Sequence, residues 1–233
     1  MLNVTYSKYP TLASLQHTGD RLLYSAVQGF YRRIWTDCHG TIAGSLPSGP
    51  FILVANHGSY LDWGILDILF REKFKRPLTF TAKPKVAQSR LWKPFVRYCR
   101  TFVIPERLNK AAIRELLRQA SLSVSENTPI IAIFPEGTRS PTGKPLPPAP
   151  GGAWLSRRTG LPLLPVALEG FHAVWPPYRR FPRWKNKRLR VHFLDPIYPD
   201  DFPDDTTMIT SAMVSIYRRL DKISTNEPIR RHI

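Results

Sequence analysis

Apolar residues change their spacing several times along the chain, and each change predicts an element. Residues 18–35 place Leu22, Leu23, Val27, Phe30, Tyr31 and Ile34 at helical spacing, with Arg21, Arg32 and Arg33 among the polar positions. That is the pattern of an amphipathic helix. Such a helix either packs its apolar stripe on the core or lies at a lipid interface with its basic side chains on head groups. After Pro50 the pattern becomes a short unbroken apolar run, Phe51-Ile52-Leu53-Val54-Ala55, as expected of a strand buried on both faces. A helix is expected over 60–73, and further strand-like runs over 78–82, 101–104, 129–134, 163–168 and 189–193. Asn109 is placed to cap a helix carrying Ile113, Leu116, Leu117 and Ala120, its side chain accepting from the first free backbone N–H groups. Met208, Ile209, Ala212, Ile216, Tyr217 and Leu220 mark a last amphipathic helix.

Strands alternating with helices predict an α/β fold: a mainly parallel mixed sheet flanked by helices. The 233 residues suit one substantial core. Residues 1–40 form an N-terminal amphipathic helical segment in this reading, and residues 41–233 the main domain.

Charge changes the picture next. Thirty-four basic residues against seventeen acidic ones give a formal net charge of +17. Such a surface field attracts polyanions, whether nucleic acid or an anionic bilayer. Zinc-ligand spacing, an RNP-type aromatic motif and a helix-turn-helix pattern are all missing from the sequence, which favours membrane lipids as the partner over nucleic acid. Arg179, Arg180, Arg183, Lys185, Lys187, Arg188 and Arg190 interleave with Trp175, Tyr178, Phe181 and Trp184. This mixture suits an interfacial belt, and equally the stacking of single-stranded nucleic acid. The N-terminal residues lack the apolar core and cleavage site of a signal peptide. No window reaches the roughly 18 uninterrupted apolar residues of a membrane span. The expectation is a protein lying peripherally on the cytoplasmic face of a membrane. Two isolated thiols, Cys38 and Cys99, make neither a disulfide framework nor a metal site, consistent with a reducing compartment.

The sequence has no G-x-S-x-G elbow, Walker loop or G-x-G-x-x-G, and its scattered histidines make no metal site. Three strand ends carry what chemistry remains. Asn56-His57-Gly58-Ser59-Tyr60-Leu61-Asp62 follows the first buried strand. On a continuous helix a spacing of five residues is about 500°, which turns His57 and Asp62 away from each other. They meet if His57 sits on the strand-to-helix turn and Asp62 in the first helical turn. The carboxylate then fixes the imidazole tautomer and supports the imidazolium while the other nitrogen acts as base. The plainer alternative is a loop hydrogen bond for His57 and a helix cap for Asp62. The carboxyl end of a strand in an open α/β sheet is where ligands bind. Phe134-Pro135-Glu136-Gly137-Thr138-Arg139-Ser140 follows a second apolar strand. There Glu136 and Arg139 either order the turn by ion pairing or leave Arg139 to bind an anionic group. Thr101-Phe102-Val103-Ile104-Pro105-Glu106-Arg107 adds another arginine past a strand end. A general base and two cationic anchors without a protein nucleophile suit direct attack by a substrate hydroxyl on an activated acyl group.

These segments resemble the glycerolipid acyltransferases of the lysophosphatidic acid (1-acyl-glycerol-3-phosphate) acyltransferase type. Asn56-His57 through Asp62 looks like the family's N-H-x-x-x-x-D motif, residues 102–107 like its second, and residues 134–140 like its third. Leu163-Leu164-Pro165-Val166-Ala167 looks like its fourth, an apolar strand near the active site. The four occur in the family's order between residues 51 and 170. The resemblance implies an acyltransferase domain over 41–233 that acylates lysophosphatidic acid to phosphatidic acid. His57 is then the base and Asp62 its orienting carboxylate. Arg107 and Arg139 hold the phosphate, Glu136, Gly137 and Thr138 shape the substrate pocket with Asn56, and Lys83 follows the second strand. The donor is an acyl thioester, acyl-CoA or acyl carrier protein, used as substrate, with no resident cofactor and no metal. Relatives often carry a basic F-K-x-G-A segment after the third motif, where this chain has Pro147-Pro148-Ala149-Pro150-Gly151-Gly152-Ala153; Lys85 stands where an acidic residue is expected. These departures bear on the acceptor, so other lysophospholipids, glycerol 3-phosphate and lyso-amino-acid lipids stay alternatives. A non-catalytic basic protein binding lipid or nucleic acid is the alternative of another class.

Overall fold

The structure, a computed structural model, describes residues 18–82, 101–103 and 130–221. Lys83, Cys99, Arg107 and the helix expected from Asn109 lie outside them. In chain order the elements are α1 (Thr18–Asp37), β1 (Thr41–Ala43), β2 (Ile52–Ala55), α2 (Asp62–Ile68), β3 (Leu78–Ala82), β4 (Phe102–Val103), β5 (Ile130–Ile133), α3 (Gly151–Thr159), β6 (Leu163–Glu169), α4 (Phe171–Val174), β7 (Arg190–Phe193) and α5 (Asp205–Arg219). A π-helical turn, Leu69–Lys73, prolongs α2, and a 3-10 turn, Pro199–Asp201, precedes α5.

Seven strands form one sheet in the order β1-β7-β6-β2-β5-β3-β4. From β6 to β4 every neighbouring pair is parallel, whereas β7 runs antiparallel to β6 and carries β1 parallel to itself at the edge. This is the mainly parallel mixed sheet that the alternating pattern predicts. The unbroken apolar run lands on β2, the central strand, which is wholly buried between β6 and β5. Its alternate side chains feed opposite faces. Leu53 and Ala55 join a cluster with Tyr24, Tyr31 and Ile34 of α1 and Ile65 and Leu66 of α2. Ile52 and Val54 join Ala153 and Leu155 of α3 and Met208, Ile209 and Ala212 of α5. The result is helix–sheet–helix layering.

The expected N-terminal helix runs two residues further than its periodicity indicates, and its apolar face is divided. Tyr24, Tyr31 and Ile34 are buried in the core, while Leu22, Leu23 and Phe30 remain exposed. Buried polar groups reinforce the seam with α2. Asp67 accepts from the Tyr24 hydroxyl at 2.8 Å, Gln28 Nε2 at 2.9 Å and Arg71 Nε at 2.7 Å. Gly64 of α2 lies so close that a Cβ there would meet the Tyr31 ring at 2.6 Å. The helix expected over 60–73 begins at Asp62, because Ser59, Tyr60 and Leu61 are used in the turn, and it widens into the π turn after Ile68. Helix α3 begins directly after the Pro-rich stretch that carries no apolar periodicity.

Candidate active site

Parallel pairing of β2 with β5 brings their carboxyl ends side by side, and the two loops that leave them interlock. His57 emerges from β2 and Asp62 opens α2, so the chain doubles back between them as the spacing argument requires. His57 Nδ1 lies 2.7 Å from Asp62 Oδ2, with the histidine side chain 18% exposed and the aspartate 1%. The same Oδ2 accepts the backbone N–H groups of Gly58 at 2.9 Å and Ser59 at 2.8 Å. Three donors therefore fix one carboxylate oxygen at the first turn of α2, where the helix dipole also favours negative charge. With Asp62 on Nδ1, Nδ1 carries the proton and Nε2 holds the lone pair. Nε2 makes no hydrogen bond among the described residues. The Phe134 ring stacks on the imidazole, with centroids 4.2 Å apart and planes within 19°, leaving the ring one face and one edge to present.

The turn itself is pinned from below. Ser59 Oγ donates to the Trp175 carbonyl at 2.8 Å and accepts from Leu61 N at 3.1 Å. Tyr60 N donates to the same Trp175 carbonyl at 3.1 Å. Tyr31 of α1 donates its hydroxyl to the Tyr60 carbonyl at 3.2 Å.

Glu136 and Arg139 part company. Glu136 turns inward, 8% exposed, and its Oε1 accepts the His57 backbone N–H at 2.9 Å and the Tyr217 hydroxyl at 2.8 Å. Burial pushes its carboxyl up to about 7, against the opposing pull of those two hydrogen bonds. Burial and the neighbouring Glu136 push the Tyr217 phenol up as well, so it serves as a donor. Arg139 turns outward and lays its guanidinium over the Tyr60 ring, 3.8 Å from the centroid. It forms no ion pair among the described residues. The Glu136–Arg139 ion pair weighed from sequence is thus not made, and a cationic fork is displayed on an aromatic platform instead. Gly137 takes the turn with φ 65°, a conformation that suits glycine, and it and Thr138 form the exposed tip.

Asn56, expected among the substrate-binding residues, spends its amide on the fold. Its Oδ1 accepts from Leu168 N at 2.8 Å and its Nδ2 donates to the Leu168 carbonyl at 3.3 Å, clamping the end of β6 to β2. His57, Asp62, Glu136 and Arg139 are thus brought to one end of the sheet, Gly137 and Thr138 rim it, and Lys83 and Arg107 lie outside the described residues. Sequence reasoning missed Phe134, Tyr60 and Tyr217. The first two sit inside the motifs as unremarked aromatics. Tyr217 is 81 positions from its partner Glu136, and nothing local to it signals a polar role.

A mainly parallel α/β sheet with a histidine–aspartate pair at the end of its central strand is an arrangement that can serve general-base chemistry. The family model described as Acyltransferase matches residues 38–169, and the chain belongs to that family. Among similar proteins, a 1-acyl-sn-glycerol-3-phosphate acyltransferase of Cocos nucifera is 32% identical over 100 residues, 43% of this chain and 32% of the relative. The 1-acyl-sn-glycerol-3-phosphate acyltransferase alpha of Bos taurus is 25% identical over 183 residues, 75% of this chain and 60% of the relative. The chain therefore spans between about a third and three-fifths of the length of these relatives. In fold it is similar to the crystal structure of the 1-acyl-sn-glycerophosphate (LPA) acyltransferase PlsC from Thermotoga maritima. The TM-score is 0.64 at 23% identity, with 93% of this chain and 86% of that one covered.

Proposed function

We propose that the protein transfers an acyl group from an acyl thioester to the free hydroxyl of lysophosphatidic acid, giving phosphatidic acid, at a membrane surface. The observation that carries this reading is His57 with Nδ1 on Asp62 and with Nε2 making no hydrogen bond among the described residues, at the same end of the sheet as Arg139, whose guanidinium sits over the Tyr60 ring. Nε2 takes the proton from the acceptor hydroxyl as its oxygen attacks the thioester carbonyl. Asp62 supports the imidazolium that forms. Collapse of the tetrahedral intermediate breaks the carbon–sulfur bond, and the leaving thiolate takes the proton back from Nε2, which restores the base. No protein side chain is acylated. Arg139, held over the Tyr60 ring, offers paired N–H donors to the acceptor phosphate. Membrane attachment is peripheral in this reading; among the described residues no helix is long and apolar enough to cross a bilayer.

The test is acyl transfer by the purified chain with lysophosphatidic acid in anionic vesicles, offering a long-chain acyl-CoA and, separately, the acyl carrier protein thioester. Wild type is expected to form phosphatidic acid, and His57→Ala to lose at least about 10³-fold in kcat, the scale of a general base. Turnover retained by His57→Ala overturns the role of His57. Absence of transfer from both donors, with transfer to glycerol 3-phosphate or another lysophospholipid, overturns the acceptor and keeps the chemistry.

A further inference from the structure

Helix α5 lies on the face of the sheet opposite α1 and α2, yet one of its side chains reaches the carboxyl that holds the backbone of His57. Tyr217 is 2% exposed among Ala167, Met213 and Ile216, where phenylalanine fills the same space without a polar atom. A buried hydroxyl and a buried carboxyl each cost free energy unless paired. Here they pair with each other, at the carboxyl end of β5. The carboxyl oxygen that accepts from Tyr217 at 2.8 Å is the one that accepts from His57 N at 2.9 Å. On the other side of the same residue, Ser140 N donates to the His57 carbonyl at 2.7 Å. The backbone of the base is therefore held at both polar groups by the 134–140 loop, and Tyr217 holds the loop's carboxyl in the rotamer that makes the first of those bonds.

We propose that Tyr217 is a positioning residue for His57, acting through Glu136, so that the C-terminal helix is a working part of the site and not only a cover for the sheet. Without the hydroxyl, the carboxyl loses one of the donors that hold Oε1 on the His57 amide. The imidazole, fixed to Asp62 at one nitrogen, then has a looser backbone anchor on the amide side, which shifts where its other nitrogen points. Misplacement of a catalytic group by less than an ångström is enough to slow the chemical step by an order of magnitude or more, while substrate contacts elsewhere are untouched.

The inference rests on the reading of His57 as the base, and its test separates the two. The first arm is kinetic. Tyr217→Phe is expected to lower kcat about ten-fold with KM for donor and acceptor unchanged, and to lower the melting temperature while the fold persists, because a buried hydrogen bond is lost. In a Glu136→Ala background the same substitution is expected to cost nothing further, because the connection is already cut. The second arm needs no turnover. In protein labelled with ¹⁵N-histidine, which has six histidines, the His57 amide is assigned by its loss in His57→Ala. Tyr217→Phe is expected to shift that amide and leave the other histidine amides in place. An unmoved His57 amide, a full ten-fold loss persisting in Glu136→Ala, or collapse of the fold in Tyr217→Phe each overturns the proposal. Should wild type prove inactive on every acceptor offered, the amide shift alone decides whether the connection exists.

Discussion

Glu136 accepts from two donors and still lies buried near Asp62, and its carboxyl is pushed up to about 7. That has a thermodynamic consequence that can be measured apart from activity. Between the ordinary carboxyl value of 4.5 and about 7, the folded chain keeps a proton on Glu136 that the unfolded chain releases. The unfolded state therefore binds fewer protons in that window, and the contribution of this group to stability falls as pH rises through it. With about 1.4 kcal/mol per unit, the loss is about 3 kcal/mol in order of magnitude. Glu136→Gln keeps an acceptor oxygen for His57 and Tyr217 and cannot titrate. Denaturant unfolding at pH 5 and pH 7.5 is expected to show wild type losing stability relative to the Gln variant as pH rises. Parallel curves for the two proteins would mean that Glu136 titrates normally.

At the scale of elements, the seam between α1 and α2 decides whether the N-terminal helix belongs to the catalytic unit. Two kinds of contact build it: the Asp67 cluster and the approach of Tyr31 to Gly64. A methyl group at 64 would stand 2.6 Å from ring carbons of Tyr31, a ring also held edge-on by Phe30 and Trp63. It cannot slide without releasing its hydroxyl from the Tyr60 carbonyl. Gly64→Ala is therefore expected to destabilise by about 1–3 kcal/mol, the scale of overpacking, despite the higher helix propensity of alanine. Urea midpoints check it, and a stabilised variant would mean the seam yields freely. The same seam shows what the sequence conveyed. The helices and strands with strong apolar periodicity were legible, β2 most of all, because burial on two faces leaves no polar position in the run. Helix α3 was not, since Gly151, Gly152 and the prolines before them carry no stripe and its buried face sets the small Gly152, Ala153 and Ser156 beside a single Leu155. The antiparallel placement of β7 leaves no mark on its own composition. At the site, spacing and strand-end position brought out His57, Asp62 and Arg139. The inward turn of Glu136 and its partner Tyr217 depend on a contact across 81 positions, which no local pattern encodes.

At the scale of the whole molecule, most of the exposed large apolar side chains among the described residues fall on α1 and on the basic segment after α4. Leu22, Leu23 and Phe30 of α1 are exposed, and Phe30 meets Trp175 and Trp184 edge-on. From 175 to 189 the chain carries six basic residues and no acidic one, with Tyr178 and Phe181 exposed among them. Trp175 also supplies the carbonyl that anchors Ser59 and Tyr60 beneath the His57–Asp62 pair, so this surface and the 57–62 turn share a hydrogen-bonded joint. A face of this composition suits the boundary of an anionic bilayer, with rings among the head groups and arginines on the phosphates. Leu22 and Phe181 are 68% and 67% exposed, so Leu22→Ser with Phe181→Ser removes apolar surface without opening the core. Partial burial of each ring or chain in the interface is worth about 1–2 kcal/mol, which sets the expected loss for the pair at ten-fold or more in partitioning to anionic vesicles measured by co-sedimentation. Raising salt should weaken wild-type binding as the Debye length shortens, and the double variant should keep that salt dependence because its arginines remain. Partitioning that ignores both substitutions would place the contact on another face, and binding that ignores salt would remove the arginines from it.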